Sequence, residues 1–294
     1  MTTPRILGPS QNFLGLPKDL STFAGSRAIV NPIPAGTASA GPGAILAASR
    51  SVSPFDEETK RDLSVEGGIA TAALLAPKGK RTDAMLQAVF DAVSGFVEAG
   101  KFVVTVGGDH TISSATIAAH ARRFPGLSVL HFDAHSGLRE SRKGDPHSHA
   151  TVMARVCEFL DPQRLTQVGV RSQHREEAEF IQERGVKVFF AHEIRNRTLA
   201  RVLKDWDDLV VESLTDQVYV SVDLDVFDPS ILPSVADPEP NGLTWHEVTA
   251  CLRKVARRKH IVGADVTGLV PAGAFRYADV TAARLVAKFL HYPL

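Results

Sequence analysis

The chain has 294 residues, of which 44% are hydrophobic, so it can bury a large core. Its 33 Lys and Arg residues balance 33 Asp and Glu residues, and a formal net charge of zero creates no global field that would attract nucleic acid or an anionic membrane. No apolar stretch of about 18 residues occurs, and residues 1–15 lack the continuous apolar segment of a secretion signal. We therefore expect a soluble, cytoplasmic protein without a nucleic-acid or membrane partner.

The predicted elements begin after an irregular lead-in at residues 1–26. A first strand is expected at 27–30, followed by a Gly- and Pro-rich loop and a helix that begins near Ala44. Residues 65–83 are ambiguous, and beyond them apolar runs alternate with amphipathic segments. The predicted helices are 84–99, 111–123, 149–160, 174–184, 196–204, 245–258 and 279–291, and the predicted strands are 102–106, 127–132, 166–170, 186–190, 218–224 and 261–266.

This alternation predicts the fold class. Strands that are apolar throughout and separated by amphipathic helices are typical of a parallel sheet covered on both faces. No repeat, low-complexity tract or linker divides the chain, so residues 1–294 are expected to form one doubly wound α/β domain. Ligands of such folds bind beyond the carboxyl ends of the strands.

Two predicted strands end on pairs of side chains that bind metals. In the run LHFDAH, Asp133 and His135 lie two residues apart, and side chains at this spacing on a strand project from the same face. In the run YVSVDLDVFDP, Asp223 and Asp225 have the same spacing. A third strand, at 102–106, runs into the sequence GGDH and places His110 just past its end.

These residues predict a metal centre, because gathered carboxylates repel one another and are costly to desolvate unless a cation offsets them. Carboxylate and imidazole ligands without thiolate suit Mn²⁺, with Fe²⁺, Ni²⁺ and Zn²⁺ left open. Five ligands exceed the needs of one tetrahedral ion and approach those of an ion pair, which could activate water for hydrolysis. The alternative to a metal site is a set of solvated acids at strand ends with a capping histidine. In that case His110 would simply begin the next helix.

Several motifs together resemble the ureohydrolases, the arginase and agmatinase family. They are GGDH at 107–110, HFDAH at 131–135, SVDLDVFDPS at 221–230 and VGADV at 262–266. The phrases SHATVMARV and DPEPNGLTWHEV look most like the agmatinase branch. The likeness covers residues 28–291, with the motifs in the family's order.

The resemblance implies an arginase-like three-layer α/β/α fold with about eight mainly parallel strands, assembled as a homo-oligomer, either a trimer or a hexamer. It also implies a binuclear Mn²⁺ centre whose hydroxide attacks the guanidinium carbon of a small-molecule substrate and releases urea. The implied ligands are His110 for one metal, His135 and Asp225 for the other, and Asp133 and Asp223 as bridges. Asp133 and His149 are the implied catalytic residues, and His149 would shuttle protons. His147, two residues away, is a rival for that role.

Two glycines depart from the family pattern. Gly137 stands in DAHSG, where the family has a carboxylate ligand, so the site of the His110 metal should be weakened. Gly268 stands where the family has a glutamate that holds the guanidinium group, and such a charged hydrogen bond contributes roughly 1.5 to 3 kcal/mol. Neighbouring residues could compensate: Ser136, Arg139 or Glu140.

Three hypotheses follow. The first is an agmatinase-like hydrolase that cleaves a linear C–N bond of a guanidino or amidino compound. The second is a hydrolase with one metal that acts on an amide or amidine without a guanidinium, a layout that the distantly similar histone deacetylases show to be sufficient. The third is a non-catalytic paralogue that serves as a ligand binder or partner subunit. The residues that bind the substrate are not predicted.

Overall fold

The computed structural model describes residues 5–75, 82–195 and 205–293. The strands within these residues are β1 (Ala28–Ile33), β2 (Phe55–Asp56), β3 (Arg61–Asp62), β4 (Ile69–Thr71), β5 (Phe102–Gly107), β6 (Ser128–Phe132), β7 (Leu165–Val168), β8 (Lys187–Phe189), β9 (Gln217–Asp223) and β10 (His260–Thr267). The helices are α1 (Gly41–Ser49), α2 (Leu63–Glu66), α3 (Thr82–Glu98), α4 (Ser113–Arg123), α5 (Val152–Val156), α6 (Arg175–Arg184), α7 (Ala191–Arg195), α8 (Trp206–Ser213), α9 (Trp245–Arg258) and α10 (Tyr277–His291).

Eight of the strands form one sheet in the order β4-β1-β5-β10-β9-β6-β7-β8, and every neighbouring pair is parallel. The chain passes from β5 to β6, moves outward to β8, and then returns to lay β9 and β10 between β5 and β6. The strand order therefore reverses at the centre of the sheet, where doubly wound folds bind their ligands. The remaining strands, β2 and β3, form a separate antiparallel hairpin.

Helices cover both faces of the sheet because successive strand residues alternate between the faces. On β9, Val220 belongs to a core shared with α1, α8, α9 and α10, whereas its neighbour Tyr219 belongs to a core shared with α4 and α5. Both side chains are fully buried. The three-layer α/β/α arrangement expected from the family likeness is confirmed.

The predicted strands of the sheet agree with the structure to within three residues at each end. The short edge strand β4 lies in the stretch that was ambiguous in sequence. The lead-in is also less irregular than expected: Ile6 forms an antiparallel bridge with Ala72, and Phe13 is fully buried. These contacts tie the start of the described chain to the edge of the sheet.

One predicted helix is wrong in extent, and three helices, α2, α7 and α8, were not predicted. The helix expected at 149–160 is instead a 3₁₀ turn at His149–Thr151 that leads into α5, which is only five residues long. The chain beyond α5 forms turns toward Asp161–Pro162, where the proline disfavours helical backbone in the residue before it. The helix expected at 196–204 lies outside the described residues, and α8 was not predicted.

No helix among the described residues has the length and apolar character needed to span a membrane.

Candidate metal centre

The predicted metal ligands lie at the carboxyl ends of three central strands. Asp133 and His135 follow β6, Asp223 ends β9, and Asp225 lies in the 3₁₀ turn after it. His110 begins a 3₁₀ turn shortly after β5, and the side chain of the preceding Asp109 caps that turn by accepting a hydrogen bond from the backbone N–H of Thr111, 2.9 Å away. The parallel register of the sheet brings these ends to one edge, as the sequence predicted.

Asp133 presents its two carboxylate oxygens to two different histidines. Its Oδ2 atom lies 3.0 Å from Nδ1 of His110, and its Oδ1 atom lies 3.4 Å from Nδ1 of His135. The carboxylate is almost completely buried. A carboxylate that faces two imidazoles with separate oxygens has the geometry needed to bridge two cations.

Asp223 and Asp225 complete two groups of ligands around Asp133. Oδ2 of Asp223 lies 3.4 Å from Nδ1 of His110, and Oδ2 of Asp225 lies 2.9 Å from Nδ1 of His135. Two groups can offer one ligand atom per residue within 4.8 Å of one another: Asp133, His135 and Asp225 form one, and His110, His131 and Asp133 form the other. All five predicted ligands are therefore brought together, and their oxygen and nitrogen donors suit a hard or borderline divalent cation.

The charges at this centre shift the pKa values of its members strongly. Burial alone would lower the pKa of His110, but a hydrogen bond with Asp133 and the charge of Asp223 raise it to about 10. Burial also opposes the charged form of His135, yet its hydrogen bonds with Asp133 and Asp225 raise its pKa to about 11. Burial and the charges of Asp133 and Asp223 raise the pKa of Asp225 well above its usual value. Protons therefore occupy positions that a divalent cation would fill.

His131, which the sequence motifs did not single out, holds Asp133 from the side opposite the cleft. The Gln167 amide nitrogen donates to the carbonyl oxygen of Ser136 at 2.6 Å, which fixes the orientation of that amide. The same nitrogen therefore donates to Nδ1 of His131, 2.9 Å away, and the ring proton must sit on Nε2. Nε2 then donates to Oδ2 of Asp133, 3.0 Å away. His131 positions a ligand, and its i, i+2 spacing from Asp133 on β6 was the available signal.

A second series of buried hydrogen bonds orients His110. Nε2 of His110 lies 2.9 Å from Oγ of Ser221, and Ser221 donates its proton to Oδ1 of Asp265 at 2.8 Å. Tyr219 donates to the other oxygen of Asp265, also at 2.8 Å. Because the Ser221 proton is used by Asp265, Ser221 accepts from Nε2 of His110 and directs Nδ1 toward the carboxylates.

Of the two rival histidines, only His149 lines the cleft that contains the centre. Its Nδ1 atom lies 3.5 Å from Oδ2 of Asp109, and its Nε2 atom lies 2.6 Å from a terminal nitrogen of Arg142. His147 instead faces Asp83, with 3.3 Å between Nε2 and Oδ1. The structure thus places His149, partly exposed, where a proton could pass between the cleft and solvent.

Neither departing glycine occupies a position where a larger side chain fits without change. Gly137 has a φ of +63°, and a Cβ atom there would lie 3.1 Å from a methyl group of Val152. Gly268 has a φ of +90°, and a Cβ atom there would lie 2.2 Å from Oδ1 of Asp223. Both backbones lie in the left-handed region that favours glycine. The missing carboxylates are therefore accompanied by backbone conformations that disfavour side chains, with a severe clash at Gly268 and a mild one at Gly137.

The centre opens into a cleft of about 240 Å³. Of the residues that could compensate for the glycines, Arg139 lines this cleft, whereas Ser136 donates a hydrogen bond to Oε1 of Gln173 and Glu140 is exposed. The side chains of Arg142, Asp237 and Glu239 also line it. These residues lie in loops, and sequence periodicity gave no signal for their position in the cleft.

Comparison with known proteins identifies relatives across nearly the whole chain. The chain is 33% identical over 286 residues to an N(1)-aminopropylagmatine ureohydrolase of Synechocystis sp., with 93% of this chain and 91% of the relative covered. It is 36% identical to a protein with the same name from Thermus thermophilus, with 84% and 80% covered. The solved structure of proclavaminate amidino hydrolase from Streptomyces clavuligerus superposes with a TM-score of 0.85 and 26% identity, covering 99% of this chain and 97% of that one.

The family model described as the arginase family matches residues 33–292, a range that contains all five clustered ligands and His149. The expected likeness to ureohydrolases is confirmed by this match and by the relatives above. The chain belongs to the arginase family.

Proposed function

We propose that the protein is a metal-dependent hydrolase that cleaves the linear C–N bond of a guanidino compound and releases urea. Water adds to the guanidinium carbon, the bond to the substituted nitrogen breaks, and that nitrogen leaves as an amine after it takes up a proton. The observation that carries the proposal is the pair of oxygens of Asp133, which face His110 and His135 separately. Membership of the arginase family and the ureohydrolase relatives support the same reaction.

In this proposal the five clustered residues would hold two divalent cations. His110 and Asp223 would contribute to one position, His135 and Asp225 to the other, and Asp133 to both. Cations bound there would supply the Lewis acidity that makes a water molecule easy to deprotonate near neutral pH. The buried partners His131 and Ser221 fix the orientation of Asp133 and His110, which limits the reorganisation needed when cations bind.

His149 is proposed to move the proton that the leaving amine requires. Its Nε2 atom accepts a hydrogen bond from Arg142, while its Nδ1 atom faces Asp109. Burial would raise the pKa of Asp109, but hydrogen bonds with His149 and Thr111 lower it to about 2. Asp109 is therefore ionised at neutral pH. The His149 ring lies between this carboxylate and the Arg142 guanidinium at the cleft, which is a suitable place for proton transfer.

The experiment is a urea-release assay on protein loaded with Mn²⁺, using a panel that includes agmatine, N(1)-aminopropylagmatine and ω-guanidino acids. Urea release that is abolished in Asp133→Asn would support the proposal, and intact folding of the variant would be checked by circular dichroism. If protein that holds its metal releases urea from no member of the panel, the proposed function is contradicted.

Metal stoichiometry separates this proposal from a hydrolase with one metal. The Asp133 geometry favours two cations per chain, and elemental analysis of the loaded protein tests that number. One tightly held cation at His135 and Asp225, with none beside His110, would favour the alternative that lacks a guanidinium substrate. Mn²⁺ as the natural metal, a trimeric or hexameric homo-oligomer, a cytoplasmic location and a part in polyamine metabolism stay predictions from the family likeness.

A further inference from the structure

The wall of the cleft carries two arginines to which the proposed reaction assigns no contact with the substrate. Arg139 and Arg142 lie in the loop between β6 and the 3₁₀ turn at His149–Thr151, and both line the same cleft as Asp133 and His135. Both side chains are partly buried. A guanidinium group carries five N–H donors in a rigid fork that matches a carboxylate, so its unmet donors indicate the kind of ligand that it can receive.

Arg142 lacks an anionic partner among the described residues. Its side chain donates a hydrogen bond from a terminal nitrogen to Nε2 of His149 at 2.6 Å, and it forms no salt bridge with any residue in the described parts of the chain. Its backbone is fixed by two hydrogen bonds with Asp145, of 2.9 and 3.0 Å. The guanidinium is therefore held at the cleft by its contact with His149 and by a short turn, without an anionic partner in the described parts of the chain.

Arg139 is only loosely paired. Its Nε atom lies 3.8 Å from Oε2 of Glu177, which is beyond hydrogen-bonding distance. That carboxylate is already occupied, because its two oxygens accept backbone N–H groups from Leu138 at 2.9 Å and His174 at 2.7 Å. Within residues 5–75, 82–195 and 205–293, the terminal nitrogens of Arg139 have no hydrogen-bond acceptor, and they can therefore contact a ligand in the cleft.

We propose that the substrate carries a carboxylate, which Arg142 and Arg139 receive while its guanidino or amidino group enters the metal centre. This inference rests on the proposed function, and it names the substrate class as guanidino or amidino acids rather than guanidino amines. Arg142, which forms no salt bridge among the described residues, and the loosely paired Arg139 offer guanidinium donors whose geometry matches a carboxylate tail and not an ammonium tail. Gly268 supports the same inference. It has no side chain that could hold the guanidinium group, so the substrate needs a charged contact elsewhere in the cleft.

Asp237 lies close to the same histidine as Arg142. Its Oδ2 atom lies 3.4 Å from Nε2 of His149, the same atom that Arg142 contacts, although Asp237 and Arg142 form no salt bridge with each other. The Asp237 side chain is 51% exposed. If Arg142 served only to attract Asp237, removing either residue would have the same effect on the enzyme. The proposed role of Arg142 instead predicts that removing Arg142 raises KM for a carboxylate substrate, whereas removing Asp237 does not.

The test compares two substrates that differ in the charge of the tail, 4-guanidinobutyrate and agmatine, on protein loaded with Mn²⁺. The expected result is a kcat/KM at least ~10-fold higher for 4-guanidinobutyrate. Arg142→Gln should raise KM for the acid ~30-fold, as expected for loss of a charged hydrogen bond. For agmatine, the same substitution should leave KM unchanged or lower it. Asp237→Asn should not raise KM for the acid. The matched control is Arg175→Gln, since Arg175 is 92% exposed on α6 and pairs with Glu179.

A binding measurement keeps the inference separate from the proposed reaction. Calorimetric titration with 4-aminobutyrate, which has the carboxylate but no guanidino group, should show binding that Arg142→Gln abolishes, whereas putrescine should not bind. Faster cleavage of agmatine, or equal losses in Arg142→Gln and Asp237→Asn, would overturn the inference while the proposed function stands. If no member of the whole guanidino panel releases urea, the proposed function fails, and the titration alone decides whether the carboxylate site exists.

Discussion

At the scale of single residues, the candidate centre depends on hydrogen bonds that fix its ligands as much as on the ligands themselves. His131 and Gln167 form the clearest case, because the amide orientation set by Ser136 dictates the proton position on His131. Groups that orient metal ligands typically change metal affinity by about 10- to 100-fold when they are removed.

We therefore expect His131→Ala to weaken Mn²⁺ binding by ~10-fold or more, because Asp133 loses the donor that holds its Oδ2 atom. Competition with a metal-sensitive dye would measure the affinity. His246→Ala, at an exposed position on α9, is the matched control. An unchanged affinity in the His131 variant would mean that Asp133 is positioned by other contacts.

Gly268→Ala should lower both the free energy of unfolding and the affinity for metal. Its Cβ atom would lie 2.2 Å from Oδ1 of Asp223, so either the strand end or the ligand must move. Gly273→Ala is a matched control, since Gly273 has a φ of +61° and a Cβ atom there would have no neighbouring heavy atom within 4 Å. The control should cost about 1 kcal/mol, the usual penalty for left-handed backbone. Equal effects of the two substitutions on stability and on metal binding would contradict this account.

Metal binding should release protons, because the metal-free centre holds His110 and His135 in their charged forms. The pKa values of about 10 and about 11 keep both rings protonated at ~pH 8, whereas metal ligation requires a neutral imidazole. The affinity for Mn²⁺ should therefore rise as pH rises toward these values. Calorimetry at that pH in two buffers of different ionisation enthalpy should detect at least one proton released per cation, and a binding enthalpy that is independent of the buffer would refute the prediction.

Among the helices and strands, the sequence predicted those whose position follows from hydrophobic periodicity. It did not predict correctly those whose bounds depend on tertiary contacts. Buried central strands such as β5, β6 and β9 were located closely because their apolar runs are continuous. The edge strand β4 has three residues, too few to establish a period, and it is defined by pairing with β1. The extent of the helix at 149–160 was wrong because the backbone of Met153 and Ala154 donates to the carbonyl oxygen of Gly137.

The hairpin of β2 and β3 is anchored to α10 by a buried ion pair that the sequence did not reveal. Nζ of Lys288 lies 2.5 Å from Oδ2 of Asp56 and 2.8 Å from Oε2 of Glu58. Lys288→Met should destabilise the fold by ~3 kcal/mol, because it leaves Asp56 buried without its partner. Chemical denaturation would measure this loss, with Arg284→Met, an exposed position on the same helix, as the control. A loss no greater than that of the control would show that the ion pair does not anchor the hairpin.

At the scale of the whole molecule, the strand order explains why a site could be predicted without coordinates. Motifs that are far apart in sequence follow β5, β6 and β9, which lie in the centre of one parallel sheet. Their carboxyl ends must meet, so His110, Asp133 and Asp223 were predictable as a group. The loop that carries Arg139 and Arg142 has no such constraint, because its path is set by local turns and by contacts with the cleft wall.

The most direct test of the two-cation centre is the anomalous diffraction of crystals of the protein loaded with Mn²⁺. We predict two anomalous peaks per chain, one between Asp133 and His110 and one between Asp133 and His135, with Asp133 bound to both ions. A single peak beside His135 would contradict the two-cation centre, and the absence of any peak within coordinating distance of Asp133 would contradict the proposed metal-dependent hydrolysis itself.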